Sequence, residues 1–427
     1  MGRLINETEL FMSLNSIRCS LVITLIVLIC NPHAHATDQA LLTAARSEQA
    51  KVIETLQTLV SIESGTMDSP GLSRIADHLQ ERLTALGARV ERLKVSGAKG
   101  DVLIGRQTGA GTHRLMLIAH MDTVYRSGTL LVEPIKFEGN RLYGPGIADD
   151  KGGVAVILHS LNMLRQAGWN NYAQLTVLFN GDEESQSAGS GEIIAALAAE
   201  HDTVLSYEPT PAKSVAKAEG VLLAAAGTGT VTLKVKGRSS HAGAAPDEGR
   251  NALVELAHQL LQTADIAKAI PGAQLNWTQA ETGSVRNQIP DHATASADMR
   301  LTATDAAEKL QTALNAKANE HKIPDTEASY TLLIGRPPYV GDARTQVLAR
   351  RAQAIYAELD GRPLIFHPGT GAGTDAGYAS RSGKPAVLES LGLAGWGYHA
   401  KNEYIEIDSI VPRLYLTTRL LMELGRD

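Results

Sequence analysis

Apolar positions recur at helical spacing in several parts of the chain. Ile75, Leu79, Leu83 and Leu86 fall three or four residues apart, as do Val154, Ile157, Leu158, Leu161 and Leu164 after the Gly152-Gly153 pair, so both stretches predict amphipathic helices. Between and after them lie unbroken apolar runs at 115–119, 175–179 and 204–207, the pattern of strands covered on both faces. From 37 to about 209 the two patterns alternate, which predicts an α/β layer: a mixed, mostly parallel sheet with helices on both faces. From about 222 to 338 the texture changes. Residues 230–235 alternate polar and apolar, leaving one face wet, with helices expected near 252–261 and 306–317. This is the pattern of an inserted α+β domain with an open-faced antiparallel sheet. The α/β texture then returns with a Gly-rich loop and the apolar strand 386–388, so the first domain is discontinuous. The expected division is a leader at 1–36, a catalytic domain at 37–222 and 338–427, and the insert at 223–337.

The leader stands apart. Arg18 precedes an apolar run at 21–29, and Ala34-His35-Ala36 then offers small residues around one intervening position, the layout of a secretory signal peptide cut after Ala36. The run is too short for the ~20 residues of a spanning helix. Met12 is an alternative start, and Leu28-Ile29-Cys30 an imperfect lipoprotein box. The expected location is therefore outside the cell membrane, in a bacterial periplasm, with no stable membrane association. Both cysteines, Cys19 and Cys30, lie in the leader, which removes disulfides and thiol nucleophiles from the mature chain. No Gly-x-Ser-x-Gly elbow supports a serine route. A net charge of -6 without a Lys/Arg block argues against nucleic acid.

Acids and histidines cluster just after the predicted strands, the edge where open α/β sheets bind ligands. His120-Met121-Asp122 follows the first strand, Asp182-Glu183-Glu184 the second and Glu208 the third, while Asp149-Asp150 opens a helix. Imidazoles and carboxylates without thiolates suit Zn, Mn or Co in a catalytic role. His120, Asp149, Glu184, Glu208 and the distant His399 supply enough donors for two ions if one carboxylate bridges them. Glu183 is then the natural non-ligand base for an activated water, and Asp122 a residue able to fix the His120 tautomer. Taken singly, each has a plainer explanation: an acidic turn in solvent, or an interior histidine. Spacing alone does not assign the roles. Gly369-Thr370-Gly371-Ala372-Gly373 lacks the full G-x-G-x-x-G spacing of a dinucleotide loop.

Four segments carry a resemblance: His120-Met121-Asp122-Thr123-Val124-Tyr125, Tyr143-Gly144-Pro145-Gly146-Ile147-Ala148-Asp149-Asp150-Lys151-Gly152-Gly153, Ser240-His241-Ala242-Gly243-Ala244-Ala245-Pro246 and Gly397-Tyr398-His399. With them the chain after the leader resembles the M20 family of metallopeptidases, and within it the bacterial glutamate carboxypeptidases of the carboxypeptidase G2 type. The resemblance implies two zinc ions per chain bridged by Asp149, with Mn2+ or Co2+ as substitutes. His120 and Glu208 would hold one ion, Glu184 and His399 the other. It implies Glu183 as general base, Asp122 as the partner of His120, and a ferredoxin-like insert serving as lid and dimerisation domain. His241 of that insert would stabilise an oxyanion in a neighbouring site. Asn287, Arg300, Arg336 and Gly371 would contact a substrate carboxylate, a task suited to the guanidinium fork; for either arginine the plain alternative is a salt bridge. The family's substrate-contacting lysine has no clean counterpart between Glu208 and His241, although Lys213 and Lys217 lie there.

The implied activity is amide hydrolysis that releases a C-terminal glutamate or similar amino acid from folate-like, N-acyl or short peptide substrates, in a homodimer. A family amidohydrolase or dipeptidase with other specificity is the alternative. A binding protein that kept the fold and lost the chemistry is disfavoured by the complete set of donors.

Overall fold

The computed structural model describes residues 36–426. The leader pattern and both cysteines therefore lie almost wholly outside the described residues. Among those described, no helix is long and apolar enough to cross a membrane.

The central sheet has six strands in the order Arg89–Leu93, Val102–Thr108, Gln174–Asn180, Arg114–His120, Thr203–Ser206 and Ala386–Leu388. The first two junctions are antiparallel and the other three parallel. Both faces are covered, as the unbroken apolar runs require. Leu115, Leu117 and Ala119 point into a core shared with the helices Gln39–Ser61, Ser69–Ala85, Lys151–Gln166, Ala343–Ala357 and Ile410–Leu424. Met116 and Ile118 point the other way, against Ile194 and Ala195 of Gly191–Ala198 and the short Ala376–Ser380 helix.

The insert is a βαββαβ unit. Its sheet runs Ala273–Thr282, His292–Leu301, Gly227–Lys236, Glu327–Arg336, antiparallel throughout, in the ferredoxin-like order. Val231, Leu233 and Val235 alternate into a separate core with Leu256, Leu310 and Leu314 of the two helices, while Thr230 and Lys234 face outward. Trp277 packs near Tyr330 in this core and donates to Thr263 at 3.2 Å.

A third, smaller sheet sets up the site. Tyr404–Glu406 pairs with Arg141–Tyr143 on one side and Ala394–Trp396 on the other. It brings the segment around His399 beside the turn that carries Asp149.

Helix Gln39–Ser61 is tied to helix Lys151–Gln166 by a buried polar chain. Glu48 meets His159 Nδ1 at 2.8 Å, His159 Nε2 meets Thr55 Oγ1 at 2.9 Å, and Lys51 donates to Glu48 at 2.7 Å. Burial holds His159 below its ordinary 6.5, and the Glu48 partner only partly offsets it. Burial pushes Glu48 upward, but hydrogen bonds from Lys51 and His159 more than offset this and leave it below 4.5. Each group thus binds fewer protons in the folded chain than in the unfolded one, so stability falls as pH falls. The thermal midpoint is expected to decline from about pH 6.5 downward as His159 is forced to charge, and further below about pH 4.5 through Glu48. His159→Asn should remove the first stage; an unchanged pH profile in that variant would exclude the assignment.

Candidate metal centre

The parallel strands end in register, His120 opposite Asn180 and Ile118 opposite Ser206, so the residues that follow each strand share one edge. There His120 Nε2 lies 2.9 Å from Asp149 Oδ1 and 3.8 Å from Glu208 Oε1. His399 Nε2 lies 3.2 Å from Asp149 Oδ2 and 3.1 Å from Glu184 Oε2. Two three-residue groups result, His120/Asp149/Glu208 and Asp149/Glu184/His399, each with its donor atoms within 4.8 Å of one another. Asp149 belongs to both and gives one oxygen to each.

The donor set fits divalent metal. Ligands about 2.0–2.1 Å from a tetrahedral zinc are separated by roughly 3.3 Å, close to three of the spacings above. Glu184 Oε1 is buried with no hydrogen-bond partner, an unmet acceptor of the kind an ion satisfies. Electrostatics agree. Burial and neighbouring acids, Asp149 foremost, push Glu208 well above the usual carboxylate range, and burial raises Glu184 despite His399. Burial would lower His120, yet its hydrogen bonds with Asp122 and Asp149 carry it well above the ordinary histidine value. Hydrogen bonds with Asp149 and Glu184 raise His399 to about 10. The imidazoles act as the counter-charges for crowded carboxylates, a task that cations would take over.

Glu183 sits beside this cluster but outside both groups. Arg336 holds it twice, at 2.6 Å from Oε1 and 2.5 Å from its main-chain oxygen. Burial raises Glu183 to about 8, with Arg336 opposing the rise. The turn is fixed from below by Asp122, whose two carboxylate oxygens accept the Glu183 and Glu184 amides, each at 3.1 Å. His120 Nδ1 faces the Asp122 main-chain oxygen at 3.1 Å and its carboxylate at 3.3 Å. One residue thereby orients both the imidazole and the Glu183 turn. Asp182 is buried rather than solvated: it accepts the amides of Gly189 and Ser190 at 2.7 and 3.1 Å and closes the loop after the strand.

Asp149 itself is set by backbone geometry. Gly146 has φ +71°, and a Cβ there would lie 2.4 Å from Thr123 Cγ2, so only glycine allows the turn. The next residue, Asp150, caps helix Lys151–Gln166 by accepting Gly153 N at 3.1 Å, and also receives His120 N at 3.3 Å. The helix cap is thus Asp150, which frees Asp149 to face the site.

The remaining expected residues lie in three separate places. Arg300 forks onto Asp298 at 2.9 and 3.2 Å and reaches the Gly371 carbonyl at 3.4 Å, so Arg300 and Gly371 meet. Arg336 is buried and committed to Glu183, with Asp375 4.0 Å away. His241 and Asn287 lie together in the insert, where Asn287 O accepts Ala242 N at 2.9 Å. The exposed His241 ring accepts the Gly243 and Ala244 amides on Nδ1 at 3.2 and 3.0 Å. With Nδ1 accepting, Nε2 is the ring atom left to donate. Lys213 is occupied by Asp408 at 2.6 Å. Two residues to which the sequence assigned no role flank the cluster. Tyr398 is half-buried and edge-on to the exposed Trp396 at 5.2 Å, and Glu403 is buried beneath the Asp149 turn.

Comparison with known proteins agrees with this geometry. Residues 116–423 match the model of peptidase family M20/M25/M40. The chain is 43% identical over 394 residues to carboxypeptidase G2 of Pseudomonas sp. (strain RS-16), covering 92% of this chain and 94% of the relative. It is 27% identical to succinyl-diaminopimelate desuccinylase of Xanthomonas oryzae pv. oryzae (strain PXO99A), over 87% and 99% of the two chains. Its fold is similar to that of an M20 family metallo-carboxypeptidase of Sulfolobus solfataricus, with TM-score 0.68, 16% identity and coverage of 88% and 99%.

Proposed function

The chain belongs to peptidase family M20/M25/M40, and from that premise we propose that it is a two-zinc carboxypeptidase releasing a C-terminal glutamate, or a similar amino acid, from N-acyl, folate-like or short peptide substrates. The observation that carries the proposal is the split of Asp149: its two oxygens face two separate donor groups, and Glu183 stands beside the bridge without joining either. His120, Asp149 and Glu208 would hold one ion and Asp149, Glu184 and His399 the other. Two divalent ions held there would supply Lewis acidity at the scissile carbonyl and ease the deprotonation of water.

The protein's own groups account for the rest. Glu183, buried beside the bridge and outside both donor groups, is placed to take a proton from the attacking water and return it to the leaving amine. Arg336 fixes the direction of that carboxylate through the second hydrogen bond to its main chain. The outward Nε2 of His241 is a donor suited to an oxyanion. Because its contacts in one chain are its own loop amides, the role fits a second subunit, with Asn287 beside it. Both expected arginines are paired, Arg336 with Glu183 and Arg300 with Asp298, but Arg300, beside Gly371, is the accessible one and so the better placed for the substrate carboxylate. The leader supports export to the periplasm.

The 43% identity to carboxypeptidase G2 supports glutamate release over the 27% likeness to a desuccinylase. A panel of benzoyl amino acids and a folate, assayed with zinc-loaded protein, tests this directly. Glutamate release faster than release of alanine, lysine or leucine is expected. Equal rates on all, or preference for an acyl-diamino acid, would move the chain to the amidohydrolase alternative.

A further inference from the structure

Glu403 has no part in the chemistry just described, yet it is 1% exposed and its carboxylate lies against the turn that carries Asp149. Such a group is retained only if its hydrogen bonds are met. Its Oε1 accepts Ala148 N at 2.8 Å and Asp149 N at 3.0 Å, its Oε2 accepts Gly146 N at 2.9 Å, and its main-chain oxygen accepts Gly144 N at 3.0 Å. Four amides of the turn that ends in Asp149 therefore converge on one residue. Backbone amides arranged in this way form an anion cradle, and here the anion is supplied from within the chain.

We propose that Glu403 is the positioning residue for the Asp149 bridge, holding the turn so that both oxygens of Asp149 reach their separate donor groups at once; the inference rests on the two-ion reading of the site.

The covalent connection gives the device its second end. Glu403 follows His399 by four residues, through a segment in which His399 and Asn402 both have positive φ, 61° each. Tyr125 donates to Ala400 O at 2.8 Å and pins the middle of that segment to the chain following Asp122. Glu403 immediately precedes the strand Tyr404–Glu406, which pairs with Arg141–Tyr143. The bridging residue and the exposed ligand His399 are thus referred to one buried carboxylate. A bridge requires placement at both ions together, since an oxygen moved toward one group moves its partner relative to the other. A displacement of the turn by a few tenths of an ångström would weaken both sets, which a change in an ordinary ligand would not do. Residues that orient ligands in this manner cost roughly 10–100-fold in metal affinity when altered.

The test is competitive titration of metal-stripped, full-length protein with Zn2+ against a chelating dye, for wild type, Glu403→Gln, Glu403→Asp and Glu208→Gln. Glutamine keeps the length but turns an amide donor toward an N–H group; aspartate keeps the charge but is too short to reach all the amides. Both Glu403 variants are expected to weaken the two binding steps together, about 10–100-fold each, while still unfolding cooperatively. Glu208→Gln should weaken one step far more than the other. Should Glu403→Gln fail to fold, Glu403→Asp carries the measurement. Unchanged affinity, or weakening confined to one step, would overturn the proposal. Wild-type protein that binds no ion would instead overturn the two-ion reading beneath it.

Discussion

Glu183→Gln is expected to lower kcat by about 10²–10⁴-fold, the range of a general base, and to leave both ions bound. The substitution conserves shape and removes only the capacity to accept and return a proton. Glu183 is outside both donor groups, so ion content measured by atomic spectroscopy should match wild type. The surroundings also tolerate the change. Arg336 keeps its bond to the main-chain oxygen of residue 183 and retains Asp375 at 4.0 Å as a counter-charge, so its guanidinium is not left buried without an acid nearby. The Asp122 bonds to the 183 and 184 amides are independent of the side chain. KM should move much less than kcat, because the lost interaction belongs to the transition state. A variant retaining more than about a tenth of wild-type turnover would remove Glu183 from the role of base.

Much of this arrangement is legible in the sequence because strands and the polar residues gathered at the sheet edge share one signal. Unbroken apolar runs mark strands buried on both faces, and the first polar residues after them must emerge at the sheet edge; His120, Glu183, Glu184 and Glu208 were found in this way. The inserted α+β domain with its open-faced antiparallel sheet announced itself by the switch to alternation at 230–235. Other features were hidden for physical reasons. Helix Gln39–Ser61 carries Glu48 and Thr55 on its buried face, so polar residues interrupt the apolar period and mask it. Asp182 reads as one more acid in a solvated turn, since nothing local shows that Ser190 and the Gly189 amide will enclose it. Arg336 suggests a substrate clamp by its residue type, while its commitment to Glu183 depends on a contact across 153 positions. Glu403 was the least visible. Its partners lie more than 250 positions away, and the only local clue is an acid standing immediately before the apolar pair Tyr404 and Ile405. Single residues whose work is to hold backbone elsewhere leave almost no mark on their own sequence neighbourhood.

Asp149→Asn should produce the second large effect, and one of a different kind: loss of the two-ion site with loss of activity. An amide offers one oxygen, and its nitrogen donates where a ligand must accept. Whichever donor group keeps the oxygen, the other is left with two residues, His399 and Glu184 or His120 and Glu208. The retained group also loses the charge that offsets divalent metal. Ion content is expected to fall from two per chain to at most one, held loosely. If the ions supply several kcal/mol of transition-state stabilisation, turnover should drop by about 10³–10⁵-fold. The stripped variant should nevertheless fold. Asp149 takes no part in the apolar cores, and helix Lys151–Gln166 is capped by Asp150 instead. In the metal-free chain, however, Asp149 is the partner of both imidazoles, whose bonds hold it below the usual carboxylate range despite burial, so the metal-free variant should melt lower than metal-free wild type while still unfolding cooperatively. The contrast with Glu183→Gln is then diagnostic: one inactive protein with both ions, the other inactive without the pair. An Asp149→Asn protein that still bound two ions at wild-type affinity would show that the donor groups are independent, and the shared carboxylate would no longer be the centre of the site.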